Sequence, residues 1–277
     1  MNIVTLIENT AGRVGIIAEW GLSILVEVDG LKVLLDTGQS DSIIHNASVL
    51  GIDLSTIDKI VLSHGHFDHT GGLRHLLRAM RKQVEIIAHP DIWDAKYVQR
   101  PGERGYSYIG VPFQKEELES LGASFTLTSE PVWLNDRIVT TGEIPLLTDY
   151  EKVDTHLYVK REGIFQPDLV RDDMALVIKT DQGLVVITGC AHRGIINTLR
   201  HAQKLTGVEA IDTVVGGTHL IRATEEQIEL TIVELKESGI QRLGACHCTG
   251  FPTTAMLAEE FGDIFFPNNA GTRLQLS

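Results

Sequence analysis

Ser63-His64-Gly65-His66-Phe67-Asp68-His69-Thr70-Gly71-Gly72 places three imidazoles and a carboxylate within six residues. The run before it, Ile57-Asp58-Lys59-Ile60-Val61-Leu62-Ser63, is apolar and β-branched, the composition of a buried strand. Leu73 to Met80 has helical spacing. The four polar residues are therefore expected on a strand-to-helix loop, where side chains can converge on one point. Neutral imidazole and carboxylate are ligands that a borderline cation such as Zn²⁺ takes, at roughly 2.0–2.2 Å. A solvated loop that merely happens to be rich in histidine is the bland alternative, and this density of donors argues against it. The stretch reads as a metal site.

Outward from it, strands alternate with helices, the pattern of an α/β chain. Ser23–Glu27 and Lys32–Leu35 read as strands joined by Val28-Asp29-Gly30-Leu31, an Asp-Gly hairpin signal. Asp36-Thr37-Gly38 ends the second. Asp41–Leu50 carries Ile43, Ile44, Ala47 and Leu50 on one face and reads as a helix stopped by Gly51. After the histidine stretch, a helix near 70–82 and a strand at Val84–Ala88 are expected. Residues 90–125 break this rhythm: Tyr97–Pro112 has no clear period, and a short helix follows around Lys115–Leu121. So long an irregular segment is expected to be a lid or insertion.

The second half repeats the logic. Ala175–Thr180 and Leu184–Thr188 form a hairpin whose second strand ends in Gly189-Cys190-Ala191-His192, and a helix follows with Ile195, Ile196, Leu199 and Ala202 inward. Strand Thr213–Val215 leads to Gly216-Gly217-Thr218-His219. A helix runs from a Thr224/Gln227 capping box to Ser238, and strand Arg242–Cys246 ends at His247. The two halves suggest two similar layers facing one another. The expectation is one domain over 1–277.

With 277 residues and 43% hydrophobic content, the chain can bury a large core. No apolar run of eighteen residues marks a membrane helix. Met1-Asn2-Ile3-Val4-Thr5-Leu6-Ile7-Glu8 lacks a basic segment and a cleavage site, so it reads as a first strand, with cytoplasm the expected location. Three cysteines do not make a disulfide framework. A formal charge of −13 disfavours nucleic acid as a partner, since phosphates are normally met by Lys/Arg clusters. Neither nucleic acid nor membrane is expected as a partner. A small-molecule substrate is, phosphorylated or pterin-like. The apolar content allows a homodimer.

Together, Asp36-Thr37-Gly38, the His64-x-His66-x-Asp68-His69 signature with Gly71-Gly72, Thr140-Thr141-Gly142-Glu143, Thr188-Gly189-Cys190 and the late His247 resemble the metallo-β-lactamase superfamily over nearly the full length. The resemblance implies a four-layered αβ/βα sandwich of two facing mixed sheets with outer helices. It also implies a site for two divalent metal ions, zinc with manganese or iron as alternatives. Carried over, His64 and His66 hold the first ion, and Asp68, His69 and His247 the second. Asp36 then orients a ligand imidazole. Such a metal lowers the pKa of bound water from about 15.7 toward 7.

Two positions depart from the family pattern. Glu143 stands where many members carry histidine, and Cys190 where many carry a bridging aspartate. Either Glu143 or His192 completes the first ion's shell; His192 is favoured because it lies two residues past a strand end in a Gly-rich turn. Cys190 is a candidate thiolate ligand, its alternative being a small buried hydrophobe. His219 is a candidate to face substrate or donate a proton, with Asp68 the other catalytic candidate. Asp172-Asp173 is either a pocket wall or a solvated turn. His45, His75, His156 and His201 show no ligand spacing, and His89 shows only a weak one.

These departures resemble one branch, whose members are named as 7,8-dihydropterin-6-methyl-4-(β-D-ribofuranosyl)-aminobenzene-5′-phosphate synthases or dihydropteroate-synthase-like metallo-hydrolases. The leading expectation is a metal-dependent hydrolase that uses an activated hydroxide on a small ester or phosphoester. The alternative is a transferase joining a dihydropterin methyl diphosphate to an arylamine, with diphosphate leaving. A di-iron redox role is disfavoured by His66, where such proteins have a carboxylate, and by the lack of room for a flavin domain.

Overall fold

The computed structural model describes residues 1–276. The apolar N-terminal run folds as β1 (Asn2–Ile7), antiparallel to β2 (Ser23–Val28), which turns back into β3 (Leu31–Leu35). Asp29 and Gly30 take φ of 52° and 82°. Two consecutive positive φ values are what a two-residue type I′ hairpin demands, which explains the Asp-Gly pair. The helix α1 (Ser42–Val49) ends before Gly51 at φ 69°. Next come β4 (Lys59–Val61), α2 (Phe67–Thr70), α3 (Leu73–Met80) and β5 (Val84–Ala88). On α3, Leu73, Leu76, Leu77 and Met80 are buried, the i, i+3, i+4, i+7 stripe of a helix lying on a sheet.

These elements belong to the first of two compact units, made of Met1–Thr128, Thr155–Asp172 and the segment from Asn269. Its larger sheet has seven strands in the order β16-β1-β2-β3-β4-β5-β8, with β8 at Ala123–Leu127 and β16 at Arg273–Gln275. It is mixed: β3, β4, β5 and β8 run parallel, the rest antiparallel. Parallel pairing needs crossovers, and α3 supplies one between β4 and β5. Leu6, Leu34, Ile60, Ile86, Leu73 and Leu76 are among the fully buried members of its core.

The segment 90–125, read from sequence as irregular, contains structure. β6 (Lys96–Val98) and β7 (Ser107–Tyr108) precede α4 (Lys115–Ser120). With β10 (Leu157–Arg161) and β11 (Ile164–Pro167) they form a four-stranded antiparallel sheet, β11-β10-β6-β7. Tyr106 stacks on Phe165 at 3.8 Å, and Tyr97 meets both Tyr108 and Phe165 edge-on. Strands of two and three residues carry no legible period, and the pairing that joins β6 to β10 spans about sixty residues of chain.

The second unit comprises Ser129–Asp154 and Asp173–Asn268. Its five-stranded sheet runs β15-β14-β13-β12-β9, from β9 (Ile138–Thr140), β12 (Ala175–Thr180), β13 (Gly183–Thr188), β14 (Ile211–Gly217) and β15 (Arg242–Cys246). The pairs β13/β14 and β14/β15 are parallel. Helices α5 (Ile195–Thr206), α6 (Glu225–Glu237) and α7 (Phe251–Phe261) bury Ile195, Leu199, Leu235 and Leu257 in a core separate from that of the first unit. The Thr224 cap forms as its spacing predicts, with Thr224 Oγ1 accepting the Gln227 N–H at 3.2 Å. Among the described residues, no helix is long and apolar enough to cross a membrane.

Candidate metal centre

In the first unit, helix α2 begins at Phe67, so Asp68 and His69 sit on a helical turn and only His64 and His66 on the loop. This differs from the sequence expectation of a single loop. Gly71 and Gly72 separate α2 from α3, and the reason is steric. A Cβ on Gly71 would stand 2.3 Å from Gln39 O, and one on Gly72 2.2 Å from Thr37 O. The helices are thereby pressed against the Asp36-Thr37-Gly38 turn.

That turn orients the donors. Asp36, fully buried with φ 59°, accepts the Ser63 N–H on Oδ1 at 2.7 Å and the Ser63 hydroxyl on Oδ2 at 2.6 Å. Its Oδ2 also lies 2.7 Å from His69 Nδ1. A proton on Nδ1 donates to that carboxylate, so Nε2 is the nitrogen His69 presents, 3.8 Å from Asp68 Oδ2. The Ser63 hydroxyl is committed to Asp36 and therefore accepts from His64 Nδ1, at 2.9 Å, which turns His64 Nε2 outward. His64 Nε2 and His66 Nδ1 stand 3.0 Å apart. Two nitrogens bound to one tetrahedral Zn²⁺ at about 2.0–2.1 Å would be about 3.3 Å apart, so this pair fits a shared cation. All four side chains are buried, which excludes a solvated surface loop.

The second unit assembles donors differently. Because β13, β14 and β15 are parallel neighbours, their C-terminal ends lie along one sheet edge. Cys190 and His192 follow β13, His219 follows β14, and His247 and Cys248 follow β15. The ligand atoms of Cys190, His192 and His219 lie within 4.8 Å of one another, as do those of Cys190, His247 and Cys248. The rings of His192 and His219 are 3.9 Å apart. Thiolate and imidazole donors suit zinc and softer ions. Ala191, His219 and His247 all have positive φ, at 55°, 50° and 54°. Non-glycine residues rarely adopt that region, and its concentration at these strand ends marks a built site.

Cys248 escaped the sequence reading, although it directly follows His247. Its Sγ donates to Cys190 O at 3.4 Å and accepts the His219 N–H at 3.3 Å. Burial alone would raise the thiol pKa, but interactions with Cys190 and His219 bring it well below the usual thiol range. Burial would lower the His219 imidazole, yet Cys248, Asp154 and Asp173 turn the net direction upward. Gly216 and Gly217 make room for protein. A Cβ would meet Thr188 O at 2.1 Å and Gly189 O at 2.4 Å, with Cys248 Sγ 2.6 Å from the latter position.

Glu143 and His192 separate cleanly. Glu143 lies 3.7 Å from the buried Arg193 guanidinium and belongs to none of the donor groups among the described residues, whereas His192 does. Asp172 and Asp173 are both buried, so they do not form a solvated turn. Asp173 Oδ2 accepts the Arg193 N–H at 2.9 Å, and Asp172 bonds to Lys96 and Gly65. His89 Nδ1 accepts the Asp91 N–H at 3.0 Å, a local cap.

A model of the metallo-β-lactamase superfamily matches residues 21–153. The chain is 36% identical to the 7,8-dihydropterin-6-methyl-4-(β-D-ribofuranosyl)-aminobenzene-5′-phosphate synthase of Methanocaldococcus jannaschii, over 98% of its own length and 95% of that protein's. Among solved structures, a metal-dependent hydrolase of the β-lactamase superfamily superposes with a TM-score of 0.87 at 32% identity, covering 100% of this chain and 99% of that one. Zn²⁺-bound PqqB from Methylobacterium extorquens shares the fold, at a TM-score of 0.59 and 13% identity over the full length of both. The fold implies binding of divalent metal, which the donor chemistry above fits. By its sequence signature, its fold and its relatives, the chain belongs to the metallo-β-lactamase superfamily.

Proposed function

We propose that this enzyme is a pterin-linked transferase, joining a dihydropterin methyl diphosphate to an arylamine with diphosphate as leaving group. One observation carries the reading: the 36% identity to the synthase of M. jannaschii extends over nearly both whole chains. It reverses the order read from sequence alone, in which hydrolysis came first. Two divalent ions, zinc with manganese or iron as alternatives, are proposed to be held by His64, His66, Asp68, His69, Cys190, His192 and His247. A bound divalent ion supplies Lewis acidity toward diphosphate or ester oxygens.

The chain's own residues set the conditions for that chemistry. Asp36 keeps the His69 proton on Nδ1 and Nε2 available. Asp68, on α2, adds a carboxylate whose negative charge favours the cation. Burial of the donors excludes competing water and strengthens every charge interaction among them. His219, with its raised pKa, is the residue proposed to hold a proton near the leaving or attacking group.

A second reading, hydrolysis of a small phosphoester or ester, draws support from the similarity to a metal-dependent hydrolase at 32% identity. Diphosphate release from the dihydropterin methyl diphosphate, measured with and without an aminobenzene riboside phosphate, separates the two. Release that requires the arylamine and yields a joined product supports the transferase. Release at equal rate without it supports hydrolysis. With the protein metal-loaded, no release under either condition removes the transferase, and no turnover of a panel of small phosphoesters and esters removes the hydrolase.

A further inference from the structure

Lys96, on β6, is the bulkiest fully buried side chain among the described residues, 1% exposed. Its Nζ lies 2.8 Å from Asp172 Oδ1 and 3.0 Å from Asp168 Oδ2. Asp172 in turn accepts the Gly65 N–H on Oδ2 at 2.7 Å. Gly65 is the residue between His64 and His66, and a Cβ there would stand 2.5 Å from Ile92 O and 3.1 Å from Lys96 Cε. On the other side of His66, the Phe67 N–H donates to Ile109 O at 2.8 Å, and the Ile109 N–H donates to Lys96 O at 2.9 Å. The N–H groups of both residues flanking His66 are thus linked, each through one intermediary, to Lys96 on β6.

Stability does not account for this. Burying a lysine with two carboxylates costs several kcal/mol per ion in desolvation, on the order of what their attraction returns. Replacing such a group by packed apolar residues is often neutral or stabilising. What the triad adds is direction: it gives one carboxylate oxygen a fixed place, and that oxygen holds one peptide.

We propose that Lys96, Asp168 and Asp172 are positioning residues that brace the His64-Gly65-His66 loop from the four-stranded sheet, so that the segment is an anchor for the metal ligands rather than a free lid. The inference rests on the metal-site reading above. Second-shell partners of metal ligands are worth about 10–100-fold in affinity, and the brace is expected to fall in that range.

The test uses the full chain and cobalt(II) alone, with Asp172→Ala, Asp172→Asn and Lys96→Met. Two readouts are taken: cobalt affinity with its ligand-field spectrum, and amide hydrogen exchange of the metal-free protein. Asp172→Ala is expected to weaken cobalt binding about 10–100-fold and alter the spectrum. It should also speed exchange at Gly65 and Phe67, with core amides such as Val26 and Val33 unchanged. Asp172→Asn retains a neutral acceptor and should fall between it and the parent. Lys96→Met should follow Asp172→Ala; if it does not fold, the two Asp172 variants decide. Unchanged cobalt affinity and Gly65 exchange in Asp172→Ala would overturn the proposal, and so would uniform acceleration across the core. A parent protein that takes up no cobalt would instead sink the metal-site reading, leaving exchange at Gly65 and Phe67 to judge the brace.

Discussion

The two units build their donor sets in opposite ways. In the first, four donors come from six consecutive residues, and the surrounding structure has only to aim them. Asp36, Ser63 and the Asp172–Lys96 pair do that through short hydrogen bonds to side chains and backbone. In the second unit no single stretch holds so many donors. Donors separated by 57 residues of chain, from Cys190 to His247, meet because parallel strands end at one edge. The contiguous donors are three imidazoles and a carboxylate, whereas the assembled donors combine imidazoles with thiols, which adds softer character. One set depends on local turns and orienting carboxylates, the other on sheet register.

That contrast can be broken most forcefully at the donors themselves. Asp68→Ala or His66→Ala should lower affinity for Mn²⁺ and Zn²⁺ alike by at least about a hundredfold, read by isothermal titration. Cys190→Ser should be selective, since a hydroxyl is a poor soft ligand. It should cut Cd²⁺ and Zn²⁺ affinity far more than Mn²⁺ affinity. Equal losses for all three ions in Cys190→Ser would mean that the thiol does not distinguish the two sets.

Next in size is Asp36→Ala. It strips Ser63 and His69 of their acceptor in a fully buried place, and each unsatisfied buried group costs about 1–3 kcal/mol. Thermal unfolding should fall accordingly, and metal affinity should drop about 10–100-fold. Loss of stability with intact affinity would show that His69 is held without Asp36.

The glycines sharpen the comparison of packing. Gly72→Ala should cost about 1–3 kcal/mol, the usual price of overpacking, because its Cβ meets backbone at 2.2 Å. Gly216→Ala should cost more in denaturant unfolding, since it adds a forbidden φ of +123° to a 2.1 Å clash. The reverse order would argue that the second unit's sheet edge yields more readily than the α2–α3 junction.

The smallest effect concerns pH. Glu151 caps α5 by accepting the Ile196 and Asn197 N–H groups, each at 2.8 Å. Burial raises its pKa above 4.5 despite those bonds. The folded state therefore holds a proton that the unfolded state releases. Its contribution is fully present below 4.5 and is lost as pH rises through the raised folded value. Glu151→Gln should flatten that slope in unfolding midpoints measured from pH 4 upward. An unchanged slope would assign the pH dependence elsewhere.

Legibility followed the same division. The α/β alternation, the Asp29-Gly30 hairpin, α1, α3 and the Thr224 cap could be read directly, because each depends on residues within one helical turn or one hairpin of each other. So could the ligand signature. The four-stranded sheet could not, since β6 and β7 are too short for a period and the pair is joined to β11 only through the pairing of β6 with β10, far along the chain. Nor could Lys96 and Asp168, whose roles exist only once that sheet forms, or Cys248, which in sequence is one more small apolar residue.

The amino-acid order by itself determined the superfamily and the first donor cluster, because four candidate donors within six residues announce themselves through spacing alone. Tertiary structure decided the rest: which imidazole nitrogen His69 offers, that Glu143 is engaged with Arg193 while His192 joins Cys190, and that Asp172, held by the buried Lys96, accepts the Gly65 N–H. Each of those depends on hydrogen bonds and ion pairs between residues brought together by strand pairing, and side-chain identity along the chain does not encode which distant partner a polar atom will meet.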